Sequence, residues 1–362
     1  MMVDRKAGQE YERRLKTLLR SELPKHVFER NPWRILWAVP FVVGLAGGTV
    51  FLGSLEMPWY LAVACSIVLG NFYVAFMFFG HESAHGGIIR SRRVQTLLLY
   101  FTHGIFLIPP HLWRFWHNDA HHAHTNIAGV DPDSFGLAEH PSNTKGVSAW
   151  VKVRLCPGSR HWLSILYLPL AFTLQGQCVL WTHRHEPAFR RMNWQRAVVE
   201  SALMLFFWCA AGAALGPSGS LYGIILPMIV ANIVVMSYVA TNHLLHPLVD
   251  HPDNVTTTLG VTTFRLLDAI HLHFSHHLEH HLFPSVSHRY YPLIRDSARR
   301  HAPDKYLAPS HWRVLRLLLS TPRFYAGPEI LVNPLTGTQY EIGRIHDLLR
   351  ADESDHASAE HP

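Results

Sequence analysis

Histidines are the residues of this sequence whose spacing can do chemistry. The chain has 362 residues, 28 of them histidine, and several histidines fall into three short motifs. The first motif runs from His81 to His85 and reads HESAH. Residues four positions apart lie on one face of a helix, so both imidazoles can reach one metal ion. Alone this pair is a weak signal, because two interfacial histidines at a helix end would have the same spacing.

The second motif comprises His117, His121 and His122 in the sequence HNDAHH. On an α-helix, His117 and His121 share a face, whereas His122 is turned about 100° away. Adjacent histidines that point in different directions can serve two metal ions. We therefore expect this motif to contribute to two neighbouring sites.

The third motif, HLEHH, places His277, His280 and His281 at positions i, i+3 and i+4 of a helix. Together the three motifs supply more imidazoles than the four ligands of a structural zinc. The motifs therefore predict two metal ions. Imidazole suits zinc, copper, iron and nickel alike, so the ligand type leaves the choice of metal open.

A further pair, Asn242 and His246, has the same i, i+4 spacing near the end of a later apolar run. The spacing makes His246 a further candidate ligand, with Asn242 on the same helix face, and His243 is expected to point elsewhere. Capping and interfacial polarity explain the pair equally well.

Other polar and aromatic residues near the motifs are candidates for supporting roles. Carboxylates often orient ligating histidines through the second ring nitrogen, and those close enough in sequence are Glu82, Asp119, Asp131, Asp133 and Glu279. Each of them is also expected simply as a helix-end or surface acid. Trp113 and Arg114 are candidates for holding a polar headgroup, or for an aromatic belt with a snorkelling arginine. No catalytic residue is expected beyond the metal ligands.

Four apolar runs must position the motifs. Runs of about 20 apolar residues span a bilayer, and residues 35–54, 58–79, 197–215 and 221–240 approach or reach that length. They form two hairpins whose turns contain no Lys or Arg, whereas the flanking segments are basic. The positive-inside rule then places both termini in the cytoplasm of a multi-pass protein of a bacterial inner membrane or the endoplasmic reticulum.

Two weaker runs, residues 94–110 and 161–181, are expected as interfacial or re-entrant helices on the cytoplasmic side. If only one of them crossed, the motifs would lie on opposite sides of the membrane. The predicted fold is an all-α bundle of four transmembrane helices with a cytoplasmic, histidine-rich cap that holds the two metals. We divide the chain into a basic cytoplasmic segment (1–34), a membrane domain (35–300) and a cytoplasmic tail (301–362), with no strand-like alternation.

The composition argues against nucleic acid as a partner. Hydrophobic residues make up 48% of the chain, and the net charge of +6 comes from basic residues that flank apolar runs. A nucleic-acid surface would instead show a basic stripe with interleaved aromatic side chains. The basic residues are better explained by orientation in a membrane.

The three motifs and their placement resemble the membrane-bound fatty acid desaturase superfamily. The segments NDAHHAHTNIAGVDPD (118–133) and EHHLFP (279–284) are similar to acyl-lipid desaturases in particular. The resemblance implies a ligand set of His81, His85, His117, His121, His122, His277, His280 and His281. The Asn242/His246 pair resembles an additional ligand position of the acyl-CoA branch, which implies that His246 is a ligand and that Asn242 approaches the metal through a water molecule.

This resemblance also implies two iron ions, O2 as co-substrate and a long acyl chain or lipid as substrate. Neither end of the sequence resembles a heme domain, so a separate electron donor is expected, either a ferredoxin or a cytochrome b5. The acyl chain is expected in an extended apolar tunnel among the four spans. The alternatives are a carotenoid ketolase or hydroxylase or a lipid hydroxylase of the same superfamily, and, in a different class, a histidine-rich metal transporter.

Overall fold

The computed structural model describes residues 5–54, 56–303 and 305–359. The outermost residues of the two predicted terminal segments, 1–4 and 360–362, lie outside the described residues.

Helices account for most of this chain, as predicted. The α-helices are α1 (Arg5–Glu22), α2 (Ala38–Ser54), α3 (Trp59–Ala84), α4 (Arg92–His103), α5 (Pro110–Trp113), α6 (His122–His124), α7 (Pro141–Thr144), α8 (Gly146–Leu155), α9 (Tyr167–Thr182), α10 (Trp194–Ser220), α11 (Leu226–His243), α12 (Asn254–Thr257), α13 (Arg265–Ile270), α14 (His277–Leu282), α15 (Tyr291–His301), α16 (His311–Ser320) and α17 (Ile342–Ala359). Two π-helical segments span Arg114–His121 and Leu221–Ile225. Short 3-10 turns occupy Lys25–Phe28, Pro32–Trp37, Gly104–Phe106, Trp162–Leu166, Pro187–Phe189 and His288–Tyr290.

By length and composition, four helical stretches of the described chain are able to cross a membrane: Pro32–Ser54, Trp59–Ala84, Trp162–Thr182 and Trp194–His243. The last of these contains two of the predicted runs. Its backbone leaves helical geometry at Gly216, where φ is 71°, and Pro217 follows. Glycine tolerates this φ and proline cannot continue the preceding hydrogen bonding, so the turn of the second predicted hairpin falls here.

Glycines allow the long helices to approach closely. A Cβ atom at Gly70 of α3 would lie 2.6 Å from Val230 Cβ of α11, and one at Gly80 would overlap Thr102 of α4. Small residues at such contacts are typical of helix packing in membranes, where close backbone approach provides the attraction. The end of α3, which carries the first motif, is thereby fixed against α4 and α11.

The prediction of an all-helical chain needs a correction in the C-terminal region. Residues Phe324–Gly327, Ile330–Val332 and Gln339–Glu341 form strands β1, β2 and β3 of an antiparallel sheet in the order β1-β2-β3. Three short strands of three or four residues give too little alternation to be recognised in the sequence.

The region expected to be a tail packs against the rest of the protein. Leu331 of β2 and Leu349 of α17 are fully buried in the main hydrophobic core. The Tyr325 hydroxyl donates to the His246 carbonyl oxygen at 2.6 Å. The described part of this region therefore covers the turn after α11.

Behind the third motif, a buried ion pair ties α14 to α15. Arg295 donates to Glu279 Oε1 at 2.8 Å, to the Tyr306 hydroxyl at 3.0 Å and to the Val261 and Ser275 carbonyl oxygens at 3.1 Å. Burial alone would raise the pKa of Glu279, but Arg295 holds it below its usual value. Both side chains are nearly inaccessible, so each charge depends on the other.

We predict that Arg295→Met destabilises the protein by about 3–5 kcal/mol, because it leaves the Glu279 carboxylate buried without its cation. The midpoint of thermal unfolding in detergent measures the effect. Arg289→Met, at an exposed position, is the matched control and should change stability by less than about 0.5 kcal/mol. Equal midpoints for the two variants would contradict this interpretation.

Candidate metal centre

The three motifs come together at the ends of different helices. His81 lies in the last turn of α3 and His85 directly follows that helix. The second motif lies at the end of the π-helix Arg114–His121, and the third motif forms the short helix α14. Glycine-mediated packing of α3 and the Arg295 pair behind α14 thus fix separate parts of one cluster.

One group contains nitrogens from all three motifs. It comprises His81, His85, His117, His122 and His280, whose nearest ring nitrogens all lie within 4.8 Å of one another. His81 Nε2 lies 2.7 Å from His117 Nε2, and His122 Nε2 lies 3.1 Å from both His117 Nε2 and His280 Nε2.

A second group lies beside the first. It contains His121, His243 and His281, again within 4.8 Å. His277 extends it, because His277 Nε2 is 2.9 Å from His243 Nε2. The rings of His122 and His281 stack with their centroids 4.2 Å apart, so the two groups are in direct contact.

The π-helix corrects the expected geometry of the second motif. Its i→i+5 bonding brings the His122 N–H onto the His117 carbonyl oxygen. His117 and His122, five residues apart, therefore face the same group, whereas His121 joins the other. The adjacent residues His121 and His122 lie in different groups, and the pair that shares a group is His117 and His122 rather than His117 and His121.

His246 joins neither group, in contrast to the prediction. Helix α11 ends at His243, so the i, i+4 relation that would align Asn242 with His246 is lost beyond the helix. The His246 ring lies beside His346 of α17, with centroids 5.2 Å apart. His243, which we expected to point elsewhere, lies 4.5 Å from the His121 ring. The Asn242 side chain is fully buried, and both of its polar atoms are unpartnered.

These buried nitrogens fit metal ions. Ligands at right angles around an ion, with bonds of about 2.1 Å, are about 3.0 Å apart, close to the separations of 2.7–3.1 Å found here. His85 Nε2 and His281 Nε2 are buried without a hydrogen-bond partner. Such groups are costly to bury unless a partner is supplied, and a cation supplies one.

The charge state of the histidines also suits cation binding. Burial, reinforced by the neighbouring imidazoles, lowers the pKa of His117, His122, His280 and His281 well below the usual value. These rings are therefore neutral and offer lone pairs.

His121 is the exception because two carboxylates face it. His121 Nδ1 lies 3.0 Å from Asp131 Oδ1 and 3.1 Å from Asp133 Oδ2. Burial opposes protonation, but these aspartates outweigh it and raise the pKa of His121 to about 9. Asp133 is held in turn by Trp116 Nε1 at 2.7 Å and Gln175 Nε2 at 2.8 Å. Nδ1 of His121 is thereby directed away from the second group.

Three further contacts orient the second ring nitrogens of other histidines. His280 Nδ1 lies 3.1 Å from the Tyr291 hydroxyl, and His281 Nδ1 lies 3.2 Å from Asn254 Oδ1. His243 Nδ1 lies 3.4 Å from the Thr257 carbonyl oxygen. Sequence reasoning missed these partners, because no spacing relative to the motifs marks them.

The other predicted supporting acids contact arginines or solvent. Glu82 pairs with Arg34 and with His288, and Glu279 pairs with Arg295. Asp119 is exposed. Of the five candidate carboxylates, only Asp131 and Asp133 contact a clustered histidine.

Trp113 and Arg114 are not arranged together for a headgroup. Trp113 is buried and stacks on His117, with ring centroids 4.3 Å apart and planes at 11°. Arg114 donates to the Arg92 carbonyl oxygen and to Thr96 Oγ1 on α4. Trp113 therefore forms part of the wall around the histidines.

A small cavity of about 20 Å³ adjoins both groups. Besides histidines and tryptophans, its lining includes Met77, Phe172, Val239 and Phe274. Phe274 stacks on Phe78 at 3.8 Å and follows two non-glycine residues of positive φ, Leu272 and His273. Such backbone is costly and persists where the surroundings enforce it. The cavity has room for about one water molecule, far less than the expected acyl tunnel requires.

Another histidine cluster lies outside the two groups. Asp268 Oδ2 lies 2.8 Å from His273 Nδ1 and 3.7 Å from His276 Nδ1. Ser275 donates to the other carboxylate oxygen at 2.5 Å. The histidine-rich tract before the third motif thus stabilises the loop that carries Phe274.

Comparison with known proteins finds one family model and several relatives that are similar to this chain. Residues 57–313 match the family model described as fatty acid desaturase. A probable fatty acid desaturase DES1 of Sorghum bicolor is 30% identical over 112 residues, 30% of this chain and 28% of that protein. The sn-1 acyl-lipid omega-3 desaturase (ferredoxin) of Synechocystis sp. is 26% identical over 152 residues, 42% of this chain and 40% of that protein.

A third relative is the chloroplastic sn-2 acyl-lipid omega-3 desaturase (ferredoxin) of Arabidopsis thaliana. It is 26% identical over 113 residues, 30% of this chain and 24% of that protein. The chain thus matches well under half the length of these curated relatives, whereas the family model covers most of the chain, including all three motifs. The protein belongs to the fatty acid desaturase family.

Proposed function

We propose that this protein is a membrane desaturase that introduces a double bond into a long acyl chain, using O2, two iron ions and electrons from a separate carrier. The observation that carries the proposal is the pair of adjacent histidine groups beside an apolar cavity, at the ends of α3 and α11. Imidazole groups of this kind can hold iron, and the apolar side chains of the cavity suit a lipid tail.

The proposed ligands follow from the two groups. One iron is assigned to His81, His85, His117, His122 and His280, and the other to His121, His243, His277 and His281. We propose His243 in place of His246 as the additional ligand. Asn242, with its buried and unpartnered amide, remains a candidate to act through water.

A membrane orientation with both termini in the cytoplasm is part of the proposal. His81 contacts His117, and His122 contacts His280, so all three motifs lie on one side of any membrane. The chain between contacting motifs must then cross an even number of times. Helices α10 and α11 supply two crossings, which supports interfacial positions for α4 and α9, although Trp162–Thr182 is long and apolar enough to span.

The proposed reaction consumes one O2 for each double bond formed. Two neighbouring methylene carbons each lose a hydrogen, the carrier supplies two electrons, solvent supplies two protons, and O2 leaves as two waters. Bound iron supplies the oxygen activation that breaking an unactivated C–H bond requires, which side-chain acid–base chemistry does not.

The chain's own residues bind, orient and exclude water. Met77, Phe172, Val239 and Phe274 offer apolar contacts to an alkyl chain next to the histidines. Asp131 and Asp133 hold His121 in one orientation, which pre-organises the site. Because the cavity is small, entry of an acyl chain requires these side chains to move. A dry, closed site limits side reactions with water.

The carrier that we propose is of the ferredoxin type. The names of the Synechocystis and Arabidopsis relatives specify ferredoxin, and no finding favours the alternative donor, cytochrome b5. The basic flanks of the chain would attract an acidic carrier.

Expression in a desaturase-free host with a ferredoxin and its reductase should yield new unsaturated acyl chains, measured by lipid chromatography and mass spectrometry. His121→Ala should abolish the product because it removes a ligand of the second group. His124→Gln is the matched control, since His124 lies outside both groups and contacts the Ala120 carbonyl oxygen. Unchanged acyl chains in a host whose carotenoids gain oxygen would replace the proposal with a carotenoid ketolase.

The ligand assignment predicts different metal contents for two neighbouring histidines. His243→Ala should lower the iron content of purified protein relative to the pair of irons in the wild type, because it opens the second group. His246→Ala should retain both irons. Metal analysis by mass spectrometry distinguishes the outcomes, and iron loss only in the His246 variant would restore the original sequence prediction.

Topology reporters test the proposed orientation. Fusions after Arg34 and after Pro362 should read as cytoplasmic, and a fusion near Gly219, at the break in α10, should read as external. The expected result follows from two hairpins with basic flanks. A cytoplasmic reading near Gly219, with an external C-terminus, would mean that Trp162–Thr182 also crosses the membrane.

A further inference from the structure

An open surface groove lies along α1, outside the four apolar stretches. Its volume is about 410 Å³, and its lining consists of Gln9, Glu12, Arg13, Lys16, Thr17, Arg20 and Pro252. Three of these residues are cationic and one is anionic. Arg13 and Arg20 are exposed. Arg13 also pairs with Glu10 on the same helix, but an exposed pair is weak, so both guanidinium groups can still meet an opposing charge.

The groove lies above the third histidine motif. Leu15 and Leu19, on the opposite face of α1, are buried in one cluster with Leu282 of α14 and Ile294 of α15. The Arg20 guanidinium lies over the Phe283 ring, 5.5 Å from its centroid. Phe283 is only two residues beyond His281.

A chain of polar contacts leads from the groove to the second histidine group. Lys16 Nζ lies 2.5 Å from Glu12 Oε1. Glu12 accepts hydrogen bonds from the Asn254 backbone N–H at 2.8 Å and from Asn254 Nδ2 at 3.2 Å. Asn254 Oδ1 in turn lies 3.2 Å from His281 Nδ1. Glu12 and Asn254 thus link one cation of the groove, Lys16, to a proposed metal ligand.

The surroundings of the groove favour a protein over a lipid surface. Among the described residues before Trp33, Leu18 is the only exposed large hydrophobic side chain. By contrast, such side chains are frequent on α2, α3 and α10. A surface that inserts into a bilayer would present apolar residues together with its basic ones.

We propose that the α1 groove is the docking surface for the acidic one-electron carrier protein, and this rests on the proposed function. Opposite charge on the carrier would complement Arg13, Lys16 and Arg20 and speed its association. The carrier is oxidised by one electron in each docking event, and the site below the groove is reduced by one. Two events supply the two electrons of one turnover.

A charge-reversal experiment on the full chain tests the site. The probe is a plant-type ferredoxin, and the measurement is its Kd for the detergent-purified, iron-loaded protein by calorimetry at low ionic strength. Arg13→Glu combined with Arg20→Glu should raise this Kd by about tenfold or more, because like charges then face each other. The remaining affinity should depend less on salt. Iron content and elution volume should equal those of the wild type, since both positions are exposed.

The matched control is Arg190→Glu combined with Arg191→Glu, which makes the same change of charge at exposed positions outside the groove. Measured also at an ionic strength of about 0.1 M, this control should leave the Kd within about twofold of the wild type, because exposed charges more than about 10 Å apart are then largely screened. An unchanged Kd for the groove variant, or a larger effect of the control, would overturn the proposal. The proposal would also be overturned if the groove variant bound ferredoxin with an unchanged Kd but bound anionic nanodiscs more weakly. That result would assign the groove to lipid headgroups.

Desaturation by the wild type is measured separately. If the wild type forms no double bonds but binds ferredoxin, and the groove substitutions weaken that binding, the proposed function is contradicted. The docking surface is then still supported. Normal desaturation with a Kd that the groove variant does not change contradicts the docking surface alone.

Discussion

The constraint on which the rest of this structure depends is the burial of many neutral imidazoles against one another. Ring nitrogens from the three motifs and α11 lie within a few ångströms, in surroundings that exclude water. Protonation does not satisfy them, because burial and neighbouring rings lower the pKa of His117, His122, His280 and His281 well below the usual value. Cations shared between the rings can. The helices that carry the motifs must therefore be held rigidly enough to keep this arrangement.

Carboxylates divide into two roles around the cluster. Asp131 and Asp133 face inward and contact His121, whereas Glu82 and Glu279 face outward and contact Arg34 and Arg295. The outward pairs join the first motif to the segment before α2, and the third motif to α15. Because a buried carboxylate without its cation is strongly unfavourable, these pairs determine where the motif-bearing helices end relative to one another.

The packing of the apolar helices also positions the residues around the cavity. Glycines bring α3 within contact of α11 and α4, and His81 of α3 and His243 of α11 both line the cavity. The strained loop at Leu272 and His273 then directs Phe274 onto Phe78 and into the cavity wall. The positions of the cavity-lining residues therefore depend on the packing of the apolar helices as much as on the histidines.

The sequence by itself determined the family, the helical class and most of the clustered histidines, because these depend on local spacing and on long apolar runs. It did not determine which of the two groups each histidine ring joins. The π-helix regroups His117 with His122, and the end of α11 at His243 excludes His246, since both depend on backbone hydrogen bonding that side-chain spacing does not encode. The C-terminal sheet and the contacts of Asn254 and Tyr291 with the histidines join residues far apart in the chain. Only tertiary packing could decide them, because their stability comes from burial against partners that no local pattern identifies.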